Sequence, residues 1–491
     1  MMSSRHRCAS ISLLGLLVVS LGCAVGPRYS KPVTSVPPAF KEQPPAGWKQ
    51  AQPADQVFRG KWWEIFHDPQ LNALEERINI SNQTLKAAEA QFAQARALVR
   101  YNRANYYPTV TTGLSATANR LSRNRAFVPS KTSYPDYLLP LDASWEADVW
   151  GRVRRTVEAA RESAQASAAD LETASLRLHA ELASDYFQMR SFDAERDILN
   201  SNVAAFQKAL ELTENRHNGG IASAVDVAQA QAQLEATRAQ AEDLDIQRAQ
   251  FEHAIAVLIG EPPAQLTLPH SPLADAPPPI PFGLPSDLLE RRPDIAAAER
   301  RVAAANAEIG VARAAYFPVI GLSANGGFES TAITTLLQGP SGFVTAGASA
   351  AGTLFDVGRR RAVSAQARAA YDQSAANYRQ TILTAFQDVE DNLAALRVLE
   401  SEAKAQEAAV AAAQQSLQLS TNRYKGGVVN YLEVITAQTT ALADQRASLD
   451  ILRRRMTATV LLIKALGGGW NAASLPSAAL TSTPEAAAHG Q

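Results

Sequence analysis

Apolar residues recur along this chain with two different periods, and each change of period marks a change of element. Arg152 to His217 and Arg359 to Lys425 contain no Gly or Pro. Within the second stretch, Ile382, Phe386, Val389, Leu393 and Leu396 alternate spacings of four and three, which is the seam of a coiled coil. As continuous helices both stretches would reach ~100 Å at 1.5 Å per residue. Each ends near a glycine pair, Gly219-Gly220 and Gly426-Gly427, which suits a helix stop and a tight turn. A second breaker-free stretch follows each pair, Ile221 to Ile259 and Val428 to Leu466. The predicted unit is a helical hairpin with a long first arm.

Ahead of each long helix the period falls to two. Val110, Thr112, Leu114, Ala116 and Ala118 alternate with Thr111, Gly113, Ser115, Thr117 and Asn119. Leu139, Leu141, Ala143, Trp145, Ala147 and Val149 alternate with Asp142, Ser144, Glu146 and Asp148. Ile320, Leu322, Ala324 and Phe328 stand against Ser323, Asn325 and Glu329, and a fourth run, Val344 to Phe355, is rich in Gly and Ala. Such alternation predicts strands with one apolar and one polar face. Each run has about ten residues, enough for a tilted strand to cross a membrane. Leu121 to Tyr134 and Thr331 to Gly342 would join them as hairpins.

The pattern occurs twice. Tyr106-Tyr107-Pro108, Asp148-Val149-Trp150-Gly151-Arg152, Arg216 with Gly219-Gly220, and Asp226-Val227 are followed in the same order by Tyr316-Phe317-Pro318, Asp356-Val357-Gly358-Arg359, Arg423 with Gly426-Gly427, and Glu433-Val434. The offset stays near 207 to 210 residues, so the chain contains a duplicated unit, of the kind that builds walls and tubes. The reading along the chain is an export signal over 1–22, an extended arm over 23–56 and a first repeat over 57–260. A Pro-rich linker over 261–285, a second repeat over 286–469 and a disordered tail over 470–491 complete it.

Composition narrows the function. The 491 residues carry a formal net charge of −1, which offers nucleic acid no electrostatic footprint. Arg5, His6 and Arg7 precede a short apolar run, Ile11 to Val19, the signature of a secretory signal. Of the two cysteines, Cys8 lies in the signal and Cys23 follows its apolar run, so the mature chain has no internal disulfide. Gly22-Cys23 resembles the lipobox of bacterial lipoproteins, with Ser20 where a Leu is usual, and this predicts a covalent lipid on Cys23. Ala24 then favours the outer membrane over inner-membrane retention. No phosphate-binding Gly-x4-Gly-Lys-Ser/Thr loop, zinc-ligand spacing or nucleophile motif is present, so no catalytic residue, metal site or other cofactor is expected.

Four strands in a membrane cannot leave their edges open to lipid, and about eight is the smallest closed membrane barrel. Several copies must therefore contribute strands. Three would leave a lumen, where two would leave a filled interior.

At this point the residues resemble the TolC-like outer membrane efflux factors, in the lipoprotein branch that works with resistance-nodulation-division pumps. The motifs are the run Leu284 to Ile295 (LPSDLLERRPDI), Ala298-Glu299, Asn306, Ile309-Gly310-Val311 and Tyr316-Phe317-Pro318. Trp62-Trp63 with Phe66 and Asp68-Pro69, Trp145 to Asp148 before Gly151-Arg152, and Ala465 to Trp470 add to them. The resemblance implies a mostly α fold with a membrane β-barrel: four strands and long coiled-coil hairpins per protomer, in a homotrimer with a 12-stranded β-barrel and a 12-helix periplasmic α-barrel. It implies a passive exit duct for small molecules in the outer membrane of a Gram-negative bacterium, extending into the periplasm and meeting a periplasmic adaptor and an inner-membrane pump. By the same resemblance, Arg216, Gly219, Gly220, Arg423, Gly426 and Gly427 form the adaptor-docking tip. Glu433, and less directly Asp226, would face the periplasmic gate, although a helix-start acid also accounts for Asp226. A duct for secreted proteins and a non-transporting scaffold lipoprotein are the competing readings.

Overall fold

The structure is a computed structural model, and it describes residues 24–42, 60–124, 126, 132–273, 276–280 and 288–475. The export signal, Cys23 and the last residues of the tail lie outside that set. Seven helices longer than one turn are found among the described residues: α1 (Pro69–Ser81), α2 (Gln83–Ala104), α3 (Arg152–Asn218), α4 (Ala224–Leu258), α5 (Pro293–Ala314), α6 (Arg359–Lys425) and α7 (Tyr431–Ala465). The strands are β1 (Thr109–Thr112), β2 (Ser115–Arg120), β3 (Ser133–Ala147), β4 (Val319–Ser330) and β5 (Gly342–Ala351). No helix among the described residues is long and apolar enough to cross a membrane.

The two long helices each have 67 residues, and the returning arms have 35 each. The returning arms start a few residues later than the absence of breakers predicts, because the turn consumes Gly219–Ser223 and Gly426–Asn430. The coiled-coil seam packs as expected: Ile382, Val389, Leu393 and Leu396 are buried, with Phe386 against them. Burying each such side chain stabilises the fold by about 1.5–3 kcal/mol.

Periodicity alone does not reveal how the shorter helices complete the wall. α2 and α4 both pack along α3, and α5 and α7 both pack along α6. They lie end to end. Asn82 caps α2 by accepting from Leu85 N at 2.8 Å, while its amide donates to Leu258 O, the last residue of α4, at 2.6 Å. In the second repeat Arg292, the residue before α5, donates to Ala465 O at 3.2 Å, the last residue of α7. Each splice needs a glycine. Gly260 (φ 73°) and Gly467 (φ 92°) are left-handed, and a Cβ on either would collide with a backbone carbonyl, that of Ser81 or Arg291. Arg292 is held in place by Asp294 at 2.7 Å and Asp388 at 3.0 Å.

The sheet is antiparallel throughout, in the order β1/β2, β3, β4, β5. Four strands are expected, and the first is split. Thr112 opposes Leu141 and Ser115 opposes Leu138, so one register runs across the gap. The gap lies opposite Pro140, which has no N–H to donate to the ladder. β3 is longer than the predicted ten or so, with 15 residues, while β5 ends at Ala351 rather than at Phe355.

Residues 24–42 run without helix or strand. Val25 N donates to Trp150 O, Asn306 donates to Pro27 O, and Lys41 N and Glu42 N donate to the Glu390 carboxylate. The arm thus ties the first strand-to-helix junction to α5 and α6. At the other end, order persists beyond Trp470, against expectation. A 3-10 turn spans Ala472–Ser474, and Leu475 packs on Ala169, Ala296 and Ala297.

Beside Trp63, α1 and α3 bury a titratable pair. His179 Nδ1 lies 2.6 Å from Glu75 Oε2, its Nε2 lies 3.2 Å from Asn79 Oδ1, and the Trp63 ring stacks on the imidazole at 4.5 Å. Burial pushes the His179 imidazole down to about 4 and the Glu75 carboxyl well up. Burial thus disfavours the charged form of each member of the pair.

Two predictions follow from these contacts. Gly260→Ala and Gly467→Ala will each lower stability by on the order of 2 kcal/mol or more, the left-handed cost plus a backbone collision. Gly220→Ala, with open space around its Cβ, will cost only about 1 kcal/mol; thermal midpoints in detergent compare them. Glu75→Gln offers an amide donor to Nδ1 and leaves His179 as the titrating member of the pair. The unfolded chain then takes up a proton below pH 6.5 that the folded imidazole refuses until about pH 4. Stability of that variant will fall between those values by on the order of 2–3 kcal/mol, and a flat midpoint across that window would contradict the assignment.

Candidate functional site: the paired hairpin tips

Each long helix ends in the same backbone motif. Ile221 N donates to Arg216 O at 2.8 Å and Gly220 N to His217 O at 2.8 Å; Val428 N donates to Arg423 O at 3.0 Å and Gly427 N to Tyr424 O at 3.0 Å. This is the Schellman closure, which needs a left-handed residue just past the helix. Gly220 (φ 78°) and Gly427 (φ 75°) supply it, whereas Gly219 and Gly426 are right-handed. The six residues expected at the tip are therefore together at the tip, with the two arginines lending their carbonyls to the closures.

Side chains bridge the two tips. Arg216 reaches from the first hairpin to donate to Lys425 O at 3.1 Å, and its guanidinium lies 4.7 Å from the centre of the Tyr424 ring. Tyr424 is buried, donates to Thr213 Oγ1 at 3.3 Å, and packs 5.3 Å from Tyr431. Tyr431 is also buried, which pushes its hydroxyl up to about 12. These tyrosines belong to a small apolar core with Leu199, Phe206, Leu234 and Val434. Sequence reading missed Thr213, Tyr424 and Tyr431. The available signal is that His217 and Ala224 stand at the matching places of the first repeat, so the aromatic pair breaks the duplication.

The two acids also part company. Asp226 sits in a complete capping box, accepting from Ser223 N at 3.0 Å while its own N–H donates to Ser223 Oγ at 3.1 Å. Glu433 lies in the first turn of α7, where Asn430 makes no side-chain cap. It instead accepts from Arg423 at 2.8 Å and from Ser420 Oγ at 3.4 Å. Arg423 and Glu433 are 55% and 37% exposed, so the pair stabilises by no more than about 1 kcal/mol and can exchange partners readily.

At the opposite end, the arginines that follow the strands are largely engaged within the chain. Arg152 pairs with Glu146, Arg154 with Asp148, Arg155 with Glu158 and Arg360 with Asp356. Gly151 (φ 81°) and Gly358 (φ 85°) turn the chain from strand to helix. Ala24 lies against Gly151, and Cys23 lies outside the described residues. Among the described residues, no group of His, Cys, Asp and Glu could hold a metal ion.

Residues 75–261 and 284–468, one stretch in each repeat, match the outer membrane efflux protein family. The chain is 33% identical over 465 residues to the probable efflux pump outer membrane protein TtgC of Pseudomonas putida, covering 94% of this chain and 96% of that protein. It is 33% identical over 480 residues to the pyoverdine export outer membrane protein OpmQ of the same species, covering 96% and 98%. Among solved structures, the outer-membrane channel OprN superposes with a TM-score of 0.84 at 31% identity, covering 91% of this chain and all of that one. The chain belongs to the outer membrane efflux protein family and is an efflux channel of the outer membrane.

Proposed function

We propose that this protein is the passive exit duct of a tripartite efflux system, carrying small molecules from an inner-membrane resistance-nodulation-division pump, through a periplasmic adaptor, to the outside. The observation that carries this reading is a four-stranded sheet with two open edges mounted on helices of 67 residues. Such a sheet is stable in lipid only when closed, and helices of that length reach ~100 Å. Three copies close a 12-stranded barrel over a tube of 12 helical lines, each protomer giving two long helices and two spliced ones. The duct makes no energy of its own, and the pump supplies it. A lipid on Cys23 anchors the arm beside the strand-to-helix junction.

The tips meet the adaptor and hold the gate. Arg216 is the latch between hairpins, and Glu433 with Arg423 sets the charge around the narrow end, where three carboxylates about one axis would favour cations. Gly427 presents open backbone, with only Arg216 near a Cβ built there.

Arg216→Ala removes a cation–π contact of about 0.5–1 kcal/mol and a backbone hydrogen bond of about 1 kcal/mol per protomer. Single-channel conductance in planar bilayers will rise above wild type; equal conductance would dismiss Arg216 as the latch. Gly427→Arg will leave the native mass in detergent unchanged and abolish efflux in cells deleted for the native gene. Normal drug tolerance in those cells would refute adaptor docking at the tips.

A further inference from the structure

Charge is spread unevenly along the helical lines. The six residues of each helix nearest the sheet are 99–104 in α2, 152–157 in α3, 309–314 in α5 and 359–364 in α6. Together these stretches hold nine arginines and no Lys, Asp or Glu. The six-residue ends of α3, α4, α6 and α7 at the tips instead balance Arg216, Arg423 and Lys425 against Glu214, Asp226 and Glu433. The basic excess is thus confined to the level where strand becomes helix. Solvation alone gives no reason for such asymmetry, whereas an anionic partner at that level does.

The two repeats neutralise these arginines differently. Local acids take four of the nine: Arg152 pairs with Glu146, Arg154 with Asp148, Arg155 with Glu158 and Arg360 with Asp356. All three arginines at the start of α3 are therefore held, and Arg103 is engaged as well. Arg100, Arg313, Arg359 and Arg361 are exposed and have no acidic partner among the described residues. Three of these four stand at one junction. The Arg360 guanidinium lies 5.5 Å from the centre of the Tyr316 ring, three residues past Arg313, so the end of α5 is beside the start of α6. On the sheet side of the same junction, Leu354 and Phe355 are 98% and 83% exposed, and Tyr316 and Phe317 are also in the open. Aromatic residues at the ends of membrane strands sit at the level of the lipid headgroups.

We propose that this junction of the second repeat binds an anionic phospholipid of the periplasm-facing leaflet, with Arg313, Arg359 and Arg361 around the headgroup phosphate and Leu354 and Phe355 against an acyl chain. In an outer membrane channel the strands lie in lipid and the helices in the periplasm. The arginines therefore come just after the aromatic residues on the periplasmic side, and long cationic side chains reach back to the headgroups from there. A guanidinium takes phosphate oxygens two at a time. Three unneutralised cations favour a headgroup with net negative charge over a zwitterionic one, whose own ammonium they repel. The apolar pair beside them suits an acyl chain and gives a soluble acidic partner nothing to hold. The first repeat offers no equivalent site, because Glu146, Asp148 and Glu158 already occupy its arginines.

Native mass spectrometry of the full-length channel in detergent, titrated with phosphatidylglycerol or phosphatidylethanolamine, tests the site. Wild type will bind phosphatidylglycerol at least about ten-fold more tightly than phosphatidylethanolamine. Arg359→Gln with Arg361→Gln will weaken phosphatidylglycerol binding by on the order of 30-fold, since each arginine near an anionic surface is worth about 1 kcal/mol. The same variant will bind phosphatidylethanolamine as wild type does. Arg368→Gln with Lys404→Gln removes equal charge from α6 but starts about 13 Å farther from the sheet, beyond the Debye length of about 10 Å at 0.1 M salt. That control will stay within about three-fold of wild type. Arg359→Lys with Arg361→Lys keeps the charge and will recover most of the preference, which separates a lost site from a damaged fold. Equal affinity of wild type for the two lipids overturns the proposal. So does undiminished phosphatidylglycerol binding after Arg359→Gln with Arg361→Gln, or an equal loss in the Arg368 and Lys404 control.

Discussion

Unpaired backbone groups along the two edges of the sheet govern the rest of this molecule. In water an open edge is tolerable; in hydrocarbon each bare N–H or C=O costs several kcal/mol. A family of outer membrane channels must therefore resolve both edges, and this chain carries half of the resolution inside itself. β3 and β4 join the two hairpins in one unbroken register of eleven opposed pairs. Pro140 is accommodated in the middle of this strand because the missing N–H falls where the first strand is already interrupted, and Gly327 (φ 158°) opposes it on the other side.

The helical part solves a different problem, that of making a long wall from short pieces. A helix of 67 residues needs a partner along its whole length, and neither returning arm is long enough. Splicing α4 to α2 and α7 to α5 supplies the missing length. Each splice brings a helix C-terminus, with its unpaired carbonyls, against the start of another helix. Asn82 and Arg292 satisfy the two ends at once, so the joints hold without a continuous chain.

The two repeats share a backbone plan and have parted in chemistry. Where the first repeat has Trp150, the Asp226 capping box and His217, the second has Val357, the Arg423–Glu433 pair and the buried Tyr424.

Much of this was legible in the sequence. The seam from Ile382 to Leu396, the alternation in the strands and the Gly-Gly closures depend on short-range spacing, and local spacing sets which face a side chain takes; the duplication shows as the same landmarks repeated in order. The turns at the hairpin ends were legible because a left-handed residue after a helix favours glycine, while their reading as a docking tip came from the family resemblance. What the sequence could not state depends on which distant groups meet. The end-to-end splices rest on Asn82 reaching Leu258 and Arg292 reaching Ala465 across 176 and 173 residues. The buried Glu75–His179 pair, the tyrosines behind the tip and the order through Leu475 are likewise contacts between remote segments. The end of β5 at Ala351 rather than Phe355 has the same origin, since alternation marks which residues can be strand while an edge becomes strand only where a partner supplies hydrogen bonds. Periodicity thus determined the elements and their faces, and tertiary packing alone decided their partners, because pairing energy belongs to two segments at once and neither encodes it by itself.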